Sequence, residues 1–406
     1  MVQTADVLVI GAGPAGAAAA ITAARGGAKV VVFDKAKYGR DKVCGDGLTP
    51  RAVTALNDLD IDLSDAHHIA GLRMIANDTV RELPWPAGTR FASHGAVWPR
   101  KSLDAALIDA AATAGADLRW ESEALPLLDG NRVIGVEASG DTWHAPLTIV
   151  AAGAPGKVAK MLGCERVADE PFGLAIRAYA ESPRHADAHL EACLTLKDDA
   201  GVPVPGYGWM FPAGDGTVNI GCGALSTMKG FKKLNLNRLL DSYSEMVRES
   251  WSLGPYLERP RAWRLPMSAQ LRHGPGWLAV GDAAGLINPM NGEGIDYGLE
   301  SGSLASELFL DDPSTAPARY DVAVGERFDG FLSTGRRFSF LIGHPFILRN
   351  GLKLAVGTEQ IANITLQVMG NLVDGETPGA AGRIFRLTDK GLALADPLLR
   401  KTRAAA

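Results

Sequence analysis

Cysteine is scarce in this 406-residue chain: Cys44, Cys164, Cys193 and Cys222 include no CxxC pair. That excludes a disulfide framework and a cysteine-built zinc site, predicts no metal centre, and fits a reducing cytoplasm. A surplus of positive charge is missing too, since 41 Lys and Arg stand against 46 Asp and Glu for a net charge of −5. Without a global basic footprint, nucleic acid is excluded as a partner. No apolar run reaches the length of about 18 residues that a spanning helix needs. A basic leader is absent as well, because MVQTADVLVIGAG runs straight into a strand and a glycine turn, which predicts no export signal. Internal repeats and low-complexity segments are also lacking. Hydrophobic residues at 47% and charged residues at 21% are ordinary for a globular fold and exclude a disordered or coiled-coil chain.

The charge that is present is unevenly placed. Residues 331–406 hold ten Lys and Arg against five Asp and Glu, so the first 330 residues carry a net −10. An acidic body with a basic, apolar-rich tail predicts a membrane-facing end.

The chain opens with a strand ending at Ile10, a glycine turn over Gly11–Gly16, an Ala-rich helix stopped by Gly26-Gly27, and a second strand, KVVVF, ending at Asp34. This is a βαβ opening, which predicts a parallel sheet flanked by helices. Ser102–Ala114 reads as a helix, and short strands over 131–152 end in LTIVAAG. From 171 to 223 the pattern becomes antiparallel, with GLAIRAYA, HLEACLTL, YGWMFP and TVNIGCG as separate strands. Strand WLAV leads to GDAAGLINPMNGEGI and a helix, and everything after about 330 reads as helix.

Gly11-Ala12-Gly13-Pro14-Ala15-Gly16 is GxGxxG between a strand and a helix. Gly11 makes the tight turn, Gly13 lets the backbone approach a pyrophosphate, and Gly16 lets the helix pack on the strand with its N-terminal N–H groups facing the anion. Asp34, 18 residues past Gly16, stands where an acid accepts hydrogen bonds from a ribose diol. This motif alone does not separate NAD from FAD. Gly281-Asp282-Ala283-Ala284, some 270 residues later, does. An Asp at that turn binds a polyol chain, and the helix N-terminus after Gly292, Gly294 and Ile295 faces the flavin edge that becomes negative on reduction. NAD has neither feature, so the cofactor is FAD.

These motifs resemble the flavoprotein reductases of the geranylgeranyl reductase family. The carriers are GAGPAG, Asp34, RDKVCGDGLTPR over 40–51, Arg100-xx-Leu103-Asp104, PGYGWMFP over 205–212, and GDAAGLINPMNGEGIDYGLE. Within the family, CGDGLTPRA, GYGWMFP and NPMNGEGIDYGLE are most similar to actinobacterial menaquinone reductases, which saturate one isoprenoid unit of the quinone tail. The resemblance implies an α/β fold: a Rossmann-like FAD-binding domain of the p-hydroxybenzoate hydroxylase type with an inserted antiparallel-sheet substrate domain and a helical C-terminal region. It implies FAD binding by 1–70, 98–165 and 265–330, lipid binding by 71–97 and 166–264, and a membrane-contacting 331–406. It further implies that Ala15, Asp34, Lys35, Arg100 and Ala124 contact the ADP side of FAD. Cys44, Gly45 and Gly47 would lie near the isoalloxazine, and Asp282, Gly294 and Ile295 at the ribityl and flavin. Hydroxylases of this fold carry an Asp-Gly motif where this chain reads Ala151-Ala152-Gly153-Ala154-Pro155-Gly156. That departure disfavours the alternative, a flavin monooxygenase or halogenase, and leaves the electron donor open between NAD(P)H and another reductant. A non-catalytic flavin-bound membrane adaptor is a third class.

Tyr207, Trp209 and Phe211 alternate, so a strand points them to one face, an apolar wall suited to a polyprenyl chain. Saturating an isolated alkene requires a proton donor across the double bond from the flavin, in a site that excludes water. Cys44, Asp46 and Tyr207 are the candidates. Long prenyl chains do not cross water, at roughly 0.8 kcal/mol per exposed CH₂. The expected location is therefore cytoplasmic and peripheral on the cytoplasmic membrane. Ile361, Ile364, Val368 and Leu372, with Met369 beside them, form the helix face predicted to touch the membrane, while Asn363, Gln367 and Asn371 lie on another face.

Overall fold

The computed structural model describes residues 2–154, 156–373, 377 and 379–404. Pro155, in the stretch that departs from the hydroxylase pattern, lies outside them.

A six-stranded sheet runs in the order His273–Gly274, Trp277–Ala279, Leu147–Val150, Val7–Ile10, Val30–Phe33, Asp117–Arg119. All its pairings are parallel except the His273–Gly274 edge. The central strands VLVI, VVVF and LTIV are buried at every residue. Helix Pro14–Arg25 packs on these strands, and so do the antiparallel strands over 132–144, with Trp143 edge-on to Phe33; the covered strands therefore read as unbroken apolar runs. The helix Pro14–Arg25 begins with Pro at its first position, and Gly27 at φ +86° follows its end. Its alanines let helix Ile295–Asp311 approach closely: a Cβ on Gly302 would stand 2.2 Å from the Ala15 carbonyl oxygen.

The second large sheet has seven strands, in the order Arg261–Pro266, Phe172–Glu181, Thr217–Leu225, Gly206–Pro212, His189–Cys193, Gly71–Ala76, Thr79–Pro84. All neighbours are antiparallel except His189–Cys193 with Gly71–Ala76. The four antiparallel segments expected between 171 and 223 are therefore present. One face of the sheet, with Ile176, Ala178, Met210, Ile220 and Cys222, packs on helix Leu236–Trp251. That helix is an addition to the sequence reading; its local signal is the Asn235 cap, whose side chain accepts from the Arg238 N–H at 3.2 Å. The opposite face looks across to the parallel sheet. A three-stranded sheet, Gly47–Leu48, Gly95–Val97 and His67–Ile69, and a four-stranded one over Val2–Thr4 and 124–144 complete the strands.

Helices Gly330–Ile342, Pro345–Ala355, Glu359–Met369 and Gly379–Ala404 follow, as the helical reading beyond 330 predicts. Among the described residues, no helix is long and apolar enough to cross a membrane.

Candidate active site

A cavity of about 700 Å³ lies between the two large sheets and continues under the C-terminal helices. Its floor is the glycine corner. Gly11 stands at φ +109°, and a Cβ there would lie 2.3 Å from the Ala151 carbonyl oxygen. A Cβ on Gly16 would lie 1.9 Å from the Gly11 oxygen. Both glycines are steric requirements of the turn. Gly13 is different: its nearest neighbour would be Arg40 Nη2 at 3.5 Å, so its open side belongs to the cavity, which Gly13 and Ala15 line.

Asp34 lies just behind this turn. Its Oδ2 accepts from the Ala12 N–H and its Oδ1 from the Ala36 N–H, both at 2.8 Å. Arg40 bridges Asp34 at 3.8 Å and Asp104 at 3.4 Å, and Arg100 donates from Nε and Nη2 to Asp104 at 2.7 and 2.8 Å. Arg100 is buried and lines the cavity. Lys35 is exposed, and Ala124 is buried in the four-stranded sheet; neither borders the cavity.

The second corner faces the first. Gly281, Asp282, Gly292, Gly294 and Ile295 all line the cavity, where helix Ile295–Asp311 begins. Lys42 Nζ holds Asp282 at 3.1 Å. Two helix N-termini, with N–H groups that have no partner inside their own helices, thus open on one space beside a carboxylate. An open glycine floor, anion-ready helix ends and an acid at a turn fit the pyrophosphate, polyol and ring of FAD.

Between the corners runs the loop carrying Cys44. Cys44 and Gly45 line the cavity, and a Cβ on Gly47 would meet the Phe211 ring at 2.9 Å. Burial pushes the Cys44 thiol above its ordinary pKa, with Arg100 opposing. Asp46 does not reach the cavity. It is fully buried at φ +65° and accepts from the Tyr179 hydroxyl, from Asn219 Nδ2 at 2.7 Å and from the Arg100 N–H at 3.2 Å. Burial raises its pKa against these hydrogen bonds. Asn219 also donates to the Cys44 carbonyl at 2.8 Å and accepts from Trp209 Nε1 at 2.9 Å. Asp46 and Asn219 therefore hold the Cys44 loop against the aromatic strand. Sequence reasoning missed Asn219, although a polar residue inside TVNIGCG was the available signal.

Tyr207, Trp209 and Phe211 share one face and all line the cavity, with ring centroids 5.9 and 6.1 Å apart. The Tyr207 hydroxyl donates to the Asn291 carbonyl at 2.5 Å, and burial raises its pKa.

The tail corrects one expectation. Ile361, Ile364, Val368 and Met369 line the cavity, and Leu372 is buried. The face predicted to meet the membrane is an interior wall. Amphipathic spacing specifies that a face leaves water; it does not specify what the face meets. Asn371, placed on the polar face, is also buried. At φ +60° it accepts from Arg51 Nη1 at 3.2 Å and from the Tyr297 hydroxyl at 2.9 Å, and it donates to Asp296. Arg51, in the first turn of helix Pro50–Asn57, also grips Glu300 at 2.6 Å. The tail is thus latched to the glycine-corner helix. Gly351, Leu354, Ile384 and Thr388 line the cavity and are also exposed, marking where it reaches the surface.

A family profile described as an FAD binding domain matches residues 4–308. The chain is 40% identical to a menaquinone reductase of Mycolicibacterium smegmatis, over 94% of this chain and 95% of that one. It is 30% identical to a digeranylgeranylglycerophospholipid reductase of Methanopyrus kandleri, over 75% of this chain and 80% of the other. A solved geranylgeranyl bacteriochlorophyll reductase-like structure from Thermoplasma acidophilum superposes with a TM-score of 0.78 at 22% identity, covering 96% and 100% of the two chains.

Proposed function

The chain belongs to the geranylgeranyl reductase family of FAD-binding oxidoreductases, and from that premise we infer that it saturates one C=C bond of a polyprenyl chain, one isoprene unit of menaquinone. The observation that carries this reading is the cavity itself: one continuous space runs from the paired glycine corners, past Cys44 and the aromatic strand, to the apolar tail helices.

Gly13 and Ala15 would hold the pyrophosphate region of FAD, and Asp282, Gly294 and Ile295 the ribityl and ring. Gly11, Gly16 and Asp34 shape the turn that makes this approach possible, and Arg100 closes the wall beside Cys44. Bound FAD supplies the hydride equivalent for one carbon of the alkene. The other carbon needs a proton, and Cys44 is the donor: it borders the cavity and burial keeps its thiol protonated. Tyr207 has its hydroxyl committed to Asn291, and Asp46 is a positioning residue behind the loop. The aromatic wall and tail helices exclude water, so the proton is not lost to solvent. Deleting the gene from its host should leave a menaquinone pool lacking one dihydrogen per molecule, with other prenyl lipids unchanged in mass spectra. An unaltered quinone pool would remove menaquinone from this reading.

The lipid reaches this cavity from a bilayer. Phe346, Leu354, Leu387 and Leu394 are 79%, 64%, 70% and 85% exposed, and Leu354 and Ile384 sit at the cavity mouth. Arg349, Lys353, Arg383 and Lys390 are exposed near them in sequence. Exposed apolar side chains with cations close by in sequence suit an in-plane contact with anionic lipid, each cation adding about 1 kcal/mol at the surface. Phe346→Asp combined with Leu387→Asp should cut co-sedimentation with phosphatidylglycerol vesicles by about tenfold or more, since each buried large apolar side chain is worth about 1.5–3 kcal/mol. Unchanged sedimentation would move the contact elsewhere.

A further inference from the structure

The sheet face that looks onto the cavity is uneven. Ala175 stands opposite Gly223, and Arg177 opposite Gly221, on the two central strands. Strand Gly206–Pro212 adds Tyr207 opposite Gly223. The edge strand Arg261–Pro266 adds Trp263 opposite Ala175. Directly paired antiparallel residues share a face, and strands lie about 4.8 Å apart. Tyr207 and Trp263 therefore wall a trough three strand spacings across, roughly 14 Å between their backbones, with alanine and glycine as its floor. Gly223 is not required by packing, because a Cβ there would meet nothing closer than the Leu174 carbonyl oxygen at 3.5 Å. The depth it leaves is available to a ligand.

Arg177 borders this trough. It is 1% exposed, with its guanidinium 4.4 Å from the centroid of the Tyr179 ring. Nη2 holds Asp41 at 2.7 Å and Nη1 holds Glu258, while Nε has no hydrogen-bond partner among the described residues. A buried donor without an acceptor costs about 1–3 kcal/mol, and an oxygen on a ligand would remove that cost.

We propose that the trough seats the flat head group of the lipid substrate, a quinone ring stacked on Trp263 with one ring oxygen accepting from Arg177 Nε. The chain then leaves the trough along Tyr207 and Trp209 toward Cys44. The anchor measures out which isoprene unit reaches the reacting position. A glycerol head group has no planar surface for the indole, so the trough selects for an aromatic ring over other prenyl lipids. This inference rests on the prenyl reductase reading above.

The test compares a short-chain menaquinone with the prenyl alcohol of the same chain length. Both are presented in detergent to the full FAD-loaded chain with dithionite as reductant. The readouts are the ratio of the two kcat/KM values and the isoprene unit reduced, read from fragment masses. Trp263→Ala and Arg177→Lys should each lower the quinone-to-alcohol ratio by about tenfold and scatter reduction over several units, and Trp263→Phe should restore both. An unchanged ratio with an unchanged reduced unit would overturn the head-group site. Loss of FAD absorbance in Trp263→Ala would also overturn it, by giving the trough to the flavin. A wild-type chain that reduces neither lipid would overturn the reductase reading itself, and the head-group site with it.

Discussion

Cys44→Ala is expected to lower turnover about a hundredfold or more while FAD stays bound, the effect of removing a general acid from a water-excluded site. The thiol borders the cavity, and its loop is held from behind by Asn219 and Asp46, so its removal subtracts a proton donor without collapsing the wall. The pH dependence has a defined sign. Burial raises the thiol pKa, so the protonated, donating form persists through neutral pH, and the rate falls only as pH rises through that elevated value. In Cys44→Ala this alkaline limb should vanish from the pH profile of kcat. Asp46→Asn should act through position: its amide oxygen can still accept from Tyr179 and Asn219, while its amide nitrogen gives up the Arg100 N–H, so the variant should retain the alkaline limb at a reduced rate. Near-normal turnover in both variants, with flavin absorbance intact, would remove the Cys44 loop from the chemistry.

Gly16→Val is expected to yield a chain that folds poorly and carries no flavin. The new Cβ would lie 1.9 Å from the Gly11 carbonyl oxygen and 3.1 Å from the Ala151 Cβ, so the helix would have to leave the sheet. Overpacking of this kind costs about 1–3 kcal/mol before any effect on the cofactor. Gly13→Ala separates the two consequences. Its Cβ would meet only Arg40 Nη2 at 3.5 Å, an ordinary contact, so the variant should melt like the wild-type apoprotein. The same methyl group would stand on the cavity floor and weaken FAD binding by about tenfold or more, since 1.4 kcal/mol is one decade in affinity. The measurements are the melting temperature of apoprotein and FAD titration by fluorescence. Wild-type FAD affinity in Gly13→Ala would place the pyrophosphate somewhere other than this floor.

What was readable in the sequence was local or periodic. The GAGPAG turn, the strand before it and the helix after it are contiguous, so their geometry follows from a few residues whose steric needs are known. The aromatic wall was readable for a similar reason, because strand alternation puts Tyr207, Trp209 and Phe211 on one face whatever they pack against. The loop that presents Cys44 was not. It is positioned by Asn219, Tyr179 and Trp209, which are 175, 135 and 165 residues away in the chain, and no local pattern announces such a meeting.

By itself the sequence determined the two glycine corners, the parallel and antiparallel sheets and a cofactor with a ribityl chain, since each depends on short-range sterics or on a period of two or of three to four residues. Only the tertiary structure decided that Asp46 lies behind the cavity while Cys44 and Tyr207 border it, and that the tail's apolar face is an inner wall of that same cavity. The physical reason is one and the same. Burial of a side chain is a free-energy preference that any apolar surface can satisfy, whether another helix, a bilayer or a bound prenyl chain, and the choice among them is made by the packing of the whole chain.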